Sequence, residues 1–324
     1  MQTQPIAPAI ESGTRPRSRR GGVLRTFRRY WVFYVMMLPA LLLLLVNNYL
    51  PMVGIVLAFK KYTFTDGILG SPWNGLENFK YLFLTDDAWL MTRNTVLYNL
   101  LFIATHLVAA VTFAILLNEM RNRFLAKLHQ TIMFLPYFLS WVVISYIGYA
   151  LFAGEYGFLN TAILRPLGID PVDWYSEPKY WPYILPAFNL WKDLGYATVI
   201  YLAAIVGFDK EYYEAAVIDG ASKTQQIRHI TLPLLKPIVT ILLILSVGKI
   251  FYSDFGLFYQ FTLNSGLLHD KIIVIDTFVY TALMGTGDVG MAAAAGFYQS
   301  IVGFVLILST NLIIRKVNKD YALF

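Results

Sequence analysis

The sequence predicts an all-α integral membrane protein of six transmembrane helices, with a polar cytoplasmic loop between the fourth and the fifth. Three observations carry that prediction. The 324 residues are 57% hydrophobic and only 14% charged, whereas a soluble domain is about a quarter charged. Six stretches reach the ~20 mostly apolar residues that a bilayer span needs. Basic residues gather in alternate connections, the asymmetry that orients a chain in a membrane.

Residues 1–30 form a basic arm with seven arginines, Arg15, Arg17, Arg19, Arg20, Arg25, Arg28 and Arg29. Beside a span, such an arm reads as a topology signal with affinity for anionic lipid; tethered there, it is not expected to bind nucleic acid. Residues 31–324 form the membrane domain. Its spans are expected at Trp31–Phe59, Thr95–Asn118, Thr131–Phe152, Ile184–Gly207, Pro237–Phe258 and Ala292–Ile314. The first is too long for the apolar region of a signal peptide, and no small-residue cleavage site follows it. The fourth and fifth carry charges. The 119–130 loop adds three basic residues, the 208–236 loop four and the C-terminal tail three, against four, two and one in the remaining connections. Both termini and the 208–236 loop are therefore expected on the cytoplasmic side. The 58–94 and 153–183 connections are polar and rich in turn residues, and neither is long enough for a large separate domain.

Several chemistries are excluded. With no cysteine, the chain has no disulfide, thiolate metal site or thiol nucleophile. His106, His129, His229 and His269 are scattered without metal-ligand spacing, so no metal site is expected. No catalytic constellation is evident. No Gly-x-x-x-x-Gly-Lys-Ser/Thr phosphate loop occurs; the chain does not bind ATP by that route and is not expected to be an enzyme.

The loop between spans four and five is built to order itself. Asp209 is placed to cap a short helix over Glu211–Asp219, and Gly220 can take the left-handed conformation that ends it. Ser222 and Gln225 have the capping-box spacing for a second short helix reaching about His229, with Pro233 and Pro237 expected to stop it before span five. Ala215 and Ala216 leave a low surface for close approach, flanked by the charges of Glu214 and Asp219. A solvated connector, a DNA-binding helix-turn-helix and a docking knob for a cytoplasmic partner are the candidate readings. Against the second, the later helix offers only Lys223, Arg228 and His229 and is held at the bilayer.

The spacing resembles the signature loop of membrane subunits of bacterial ABC importers: Glu-Ala-Ala, three residues, Gly, nine residues, Ile, one residue, Leu-Pro. Here these are Glu214, Ala215, Ala216, Gly220, Ile230, Leu232 and Pro233. The stretch "YLAAIVGFDKEYYEAAVIDGA" resembles the carbohydrate-uptake branch, and the likeness extends over most of the chain from about Thr95. The resemblance implies the type I importer fold in a bacterial inner membrane. It implies that Glu214, Ala215, Ala216, Asp219, Gly220, Ile230, Leu232 and Pro233 form a coupling element seated on a cytoplasmic ATPase. The ATPase, in two copies, would bind ATP and Mg2+. A second membrane subunit and an extracytoplasmic solute-binding protein would complete the assembly.

Ionisable residues inside spans mark functional sites by default. Lys192 and Lys249 are expected near mid-depth, with Asp193 and Asp254 close in sequence; salt bridges between helices and a polar translocation cavity are both open readings. Asn189, Trp191 and Tyr196, with Tyr252, Ser253 and Gln260, add aromatic and polar groups suited to sugar. Two lysines at mid-depth favour an anionic sugar, and the chain most resembles importers of alginate-like oligosaccharides. A secondary transporter for a polar solute is the alternative, although the internal repeats usual in such folds are not evident. Ala292, Gly296 and Ser300, at four-residue spacing, are expected to let span six pack closely.

Overall fold

The computed structural model describes residues 22–317. Arg15, Arg17, Arg19 and Arg20 of the basic arm, and the tail beyond Val317, lie outside the described residues. Compact packing divides the chain between Val53 and Gly54. In the first unit, helix α1 spans Gly22–Leu44, with Pro39 inside it and a break in helical geometry at Tyr30, the last residue of the expected arm. A π turn, Leu45–Tyr49, follows it.

The second unit is helical, with no strand among the described residues. Its main helices are α2 (Glu77–Leu84), α3 (Asp86–Glu119), α4 (Arg123–Phe134), α5 (Trp141–Phe152), α6 (Trp181–Val206), α7 (Lys210–Ile218), α8 (Lys223–Val247), α9 (Ile275–Met284) and α10 (Val289–Val317). Four helical stretches, Phe27–Phe59, α3, α8 and Val289–Leu312, are long and apolar enough to cross a membrane; two bent pairs raise the number to six.

Three expectations are corrected. Span three is not one helix: the axis turns by 100° between Arg123–Phe138 and Trp141–Phe152. Pro136 cannot donate into the ladder, and Ser140 Oγ accepts from Val143 N (3.3 Å) to start α5. Pro233 and Pro237 do not stop the second loop helix, because α8 runs unbroken from Lys223 to Val247. A π turn at Ile227–Thr231 sits just before Pro233, and Leu232 N reaches back five residues to Ile227 O; the widened turn accommodates a residue with no N–H. Span five also ends early. It stops at Val247, followed by a turn over 248–251 and a π turn at Gly256–Phe261. The short apolar helix α9 was not expected at all.

Irregular backbone inside a bundle leaves peptide groups that hydrocarbon cannot satisfy. Here, amide side chains on neighbouring helices supply the partners. Asn94 of α3 donates to Asp270 O and Ile273 O (3.1 and 3.0 Å). Asn99 donates to Ile250 O (2.9 Å). Gln299 of α10 donates to Phe251 O (2.6 Å) and to Asp276 Oδ1 (3.1 Å). Around this scaffold, one apolar cluster joins Tyr98, Ile144, Trp181 and Phe261, and another joins Ala110 and Ala114 to Tyr201, Ile205 and Leu235.

Candidate functional site

The 208–236 loop folds as its local chemistry dictates. Asp209 accepts from Glu211 N (3.0 Å) and starts α7 one residue before the expected position. The helix ends in a Schellman motif: Ala221 N bonds Ala216 O (2.8 Å), Gly220 N bonds Val217 O (3.0 Å), and Gly220 has φ of +77°. Nothing lies near the position a Gly220 side chain would take, so this glycine is required by conformation alone. Ser222 and Gln225 complete both bonds of the capping box. Tyr213 and Thr231 hydroxyls meet at 3.0 Å, and Gln226 donates to Ala221 O (3.0 Å), so the two helices are tied across the turn. Lys223 pairs with Glu119 at the end of α3 (3.2 Å).

Glu214, Ala215, Asp219 and Gly220 are exposed, and Ala216 is half-buried; Leu232 and Pro233 are exposed at the start of α8, with Ile230 half-buried. Two exposed apolar residues escaped the sequence reading. Val217 and Ile218 sit at the C-terminal end of α7, Ile218 with 86% of its surface open. Apolar side chains so exposed on a polar helix are open to a partner surface; their place just before Asp-Gly was the available signal.

The second candidate group divides. Lys192 is buried, and its Nζ donates to Tyr137 O (3.1 Å) and Leu139 O (2.8 Å). It lies 5.7 and 5.5 Å from the ring centroids of Tyr137 and Trp141. Those carbonyls lie at the 100° bend, where the helix has lost its own donors. Lys192 is therefore a strut for the bend, and no salt bridge joins it to Asp193 or Asp254 among the described residues. Asp254 is also engaged: Oδ2 accepts from Trp141 Nε1 (2.6 Å), while Oδ1 caps the π turn through Gly256 N (2.9 Å). Ser253 N donates to Asp276 Oδ2 (2.6 Å).

Tyr196 stacks on Tyr137 with centroids 4.7 Å apart. With His106, Tyr201 and Ser246 it lines a hollow of about 210 Å3. Asn189 is buried with its Oδ1 unpartnered among the described residues, as are His106 Nε2 and Thr198 Oγ1. Trp191 is exposed on another side of α6 and meets Phe188 instead. Lys249 and Tyr252 are exposed on the 248–251 turn and beside it, rather than inside a span. Gln260 lines a separate hollow with Tyr146, Tyr149 and Tyr259. The structure thus gathers Lys192, Tyr196 and Asp254 around Tyr137 and Trp141, and leaves Trp191, Lys249 and Tyr252 outside that group. Tyr137 and Trp141 were missed; the run "LPYFLSW", a proline before a serine cap, was their signal. A cavity of about 580 Å3 lies apart from both groups, beside the His269–Asp87 pair (3.0 Å). Outside the spans, Tyr175 donates to Phe261 O (3.4 Å), and burial pushes its phenol up, so it stays a donor.

Residues 110–319 match the family described as the binding-protein-dependent transport system inner membrane component. The polygalacturonan/rhamnogalacturonan transport system permease protein YteP of Bacillus subtilis (strain 168) is 32% identical over 314 residues, 97% of each chain. The trehalose/maltose transport system permease protein MalF of Thermococcus litoralis is 29% identical over 296 residues, 90% of this chain and 95% of that one. The fold matches the crystal structure of a bacterial ABC transporter involved in the import of the acidic polysaccharide alginate. There the TM-score is 0.83 at 28% identity, covering 91% of this chain and 99% of the other. A second structure, of a bacterial alginate ABC transporter in complex with alginate pentasaccharide-bound periplasmic protein, matches with a TM-score of 0.83 at 28% identity, over 92% and 98% of the two chains.

Proposed function

The chain belongs to the family of binding-protein-dependent transport system inner membrane components, and from that premise we propose that it forms part of the membrane path of an ATP-driven saccharide importer. Membership makes it a multi-pass membrane transport component rather than an enzyme. The observation that carries the rest is the tied, exposed helix pair at 208–236. It presents Glu214, Ala215, Val217 and Ile218 at one capped turn, a surface fit for the cleft of a cytoplasmic ATPase. Two copies of that ATPase hold ATP and Mg2+, and a second membrane subunit supplies the other knob. When nucleotide draws the ATPases together, the knobs move as rigid bodies and bias the spans between inward-open and outward-open states. Both termini face the cytoplasm, and an extracytoplasmic binding protein delivers the solute.

The solute is an acidic oligosaccharide. Support comes from the alginate transporter of like fold and from Lys249, an exposed cation whose side chain has no partner among the described residues. Lys192, spent on two carbonyls, does not serve that role.

The test is purification in mild detergent with identification of companions, followed by uptake in proteoliposomes. A stoichiometric ATPase and a sister membrane subunit, with uptake of alginate pentasaccharide above that of trehalose, are expected. A chain that purifies alone under several detergents would overturn the importer assignment. Preferential uptake of trehalose would overturn the acidic substrate only.

A further inference from the structure

The hollow that contains Gln260 differs in chemistry from the rest of the path. Its first wall is one stripe of α5. Val142, Ser145, Tyr146 and Tyr149 recur at i, i+3, i+4 and i+7 and so share a face. Its second wall is the π turn, with Tyr259 and Gln260, continued by Leu263 and Asn264. Together they border a shallow, open hollow of about 510 Å3. Tyr146 and Tyr149 are 73% and 53% exposed.

The two walls are locked together. A side-chain carbon on Gly148 would collide with the Phe261 ring, and one on Gly256 would collide with Trp141. The Trp141–Asp254 bond closes the same contact at 2.6 Å. At the rim, Leu263 and Asn264 are consecutive left-handed residues, with φ of 55° and 46°. Outside glycine that conformation is uncommon, and it persists where the surroundings hold it. Here Asn264 N is bonded to Tyr259 O (3.0 Å) and Ser265 Oγ to Tyr175 O (3.0 Å). Asn264 lines both this hollow and the cavity beside His269.

Ser145 Oγ donates to Val142 O (2.7 Å), and the side-chain amides and phenols of the lining carry no hydrogen bond to another described residue. No Lys, Arg, Asp or Glu lines the hollow. Phenols and primary amides against hydrocarbon would be costly, so the lining does not suit a lipid chain. Flat rings beside free amides and hydroxyls suit a ligand with apolar C–H faces and many hydroxyls. We infer that this hollow is a second saccharide subsite, one that recognises the uncharged face of a pyranose by ring stacking and amide hydrogen bonds. The inference rests on the proposed saccharide import. It divides the labour: Lys249 reads charge, and the tyrosine stripe reads sugar rings whatever their charge.

The chain has no cysteine, so a Val142→Cys variant places its single thiol in the hollow. The assembled complex in lipid nanodiscs is treated with a water-soluble maleimide, with and without alginate pentasaccharide or trehalose. Labelling of this chain is expected to slow at least about fivefold with each saccharide the complex transports, the protection due when the ligand occupies most of the sites. In parallel, Tyr146→Ala should raise KM for the transported saccharide about fivefold with kcat held, and Tyr146→Phe should restore it. A thiol that reacts freely in a transporting complex, unprotected by saccharide, overturns the subsite and leaves the importer assignment intact. A thiol closed to reagent without saccharide means that the sister subunit or lipid covers the hollow, which also overturns it. A complex that transports neither saccharide overturns the function proposed above, and the subsite with it.

Discussion

The loop at 208–236 and the junction around Lys192 are both irregular, both polar and both flanked by apolar helix, yet they are held by different means. The hydrogen bonds that shape the loop join residues within it: Asp209 to Glu211, Ala216 to Ala221, Ser222 to Gln225, Tyr213 to Thr231, with the Lys223–Glu119 ion pair as a long-range tie. The junction is made by pairs far apart: Lys192 with Leu139, Trp141 with Asp254, Asn99 with Ile250, Gln299 with Phe251. The first is a module that can move as one piece. The second is a weld between helices, and disturbing one member disturbs several.

The loop breaks most completely at Gly220. Proline fixes φ near −65°, against +77° here, and removes the N–H that bonds Val217 O. Gly220→Pro is expected to lower uptake by about 100-fold or more, the equivalent of ~3 kcal/mol. The spans do not depend on this turn, so membrane insertion should be unchanged and ATP hydrolysis should continue without transport. Near-normal uptake by this variant would remove the loop from the coupling mechanism.

The junction should fail differently. Lys192→Met withdraws both donors from Tyr137 O and Leu139 O, and each orphaned, part-buried carbonyl costs up to ~1–3 kcal/mol. The yield of folded protein should fall, and uptake of acidic and neutral saccharides should fall together, by about tenfold, in proteoliposomes matched for lipid. Selective loss of the acidic substrate would return Lys192 to the translocation path and dissolve the contrast.

Lys249→Met sharpens the same contrast from the other side. Lys249 supports no bond through its side chain among the described residues, so folding should be unaffected. Loss of one charge-assisted contact, ~1.5–3 kcal/mol, predicts about a tenfold fall in uptake of alginate pentasaccharide and little change for trehalose. An equal fall for both would make Lys249 structural.

This division explains what could be read in the sequence. Caps, left-handed glycines and fixed spacings act over a few residues, so Asp209, Gly220 and the Ser222–Gln225 box were legible. Long apolar runs were legible too, because the bilayer reads them by length. The ends of the runs were not. Pro233 looked like a stop, but a π turn upstream absorbs it, and nothing in the sequence announces that turn. Lys192 read as a salt-bridge partner or a cavity cation, because its carbonyl partners sit more than fifty residues away at a bend whose only sign is Pro136 followed by Ser140. The same distance hid α9 and the amides of Asn94, Asn99 and Gln299, which stabilise a segment that a hydropathy reading extends as helix.

The smallest expected effect asks whether the loop moves as one piece. Ser222→Ala removes the side-chain acceptor for Gln225 N and leaves Gln225 Oε1 bonded to residue 222 N. Loss of an N-cap costs ~1 kcal/mol, but this cap is one of several ties. Tyr213–Thr231, Gln226–Ala221 and the ion pair of Lys223 with Glu119 remain, and the helix it starts continues for 25 residues as α8. Opening of the first turn should therefore become about fivefold easier, seen as faster amide hydrogen exchange at Gln225 and Gln226. Uptake should change by less than about twofold, because a frayed first turn leaves the exposed face of α7 where it was. A loss as severe as that of Gly220→Pro would show that the rigidity of the whole pair, and not the turn at Gly220, transmits the motion.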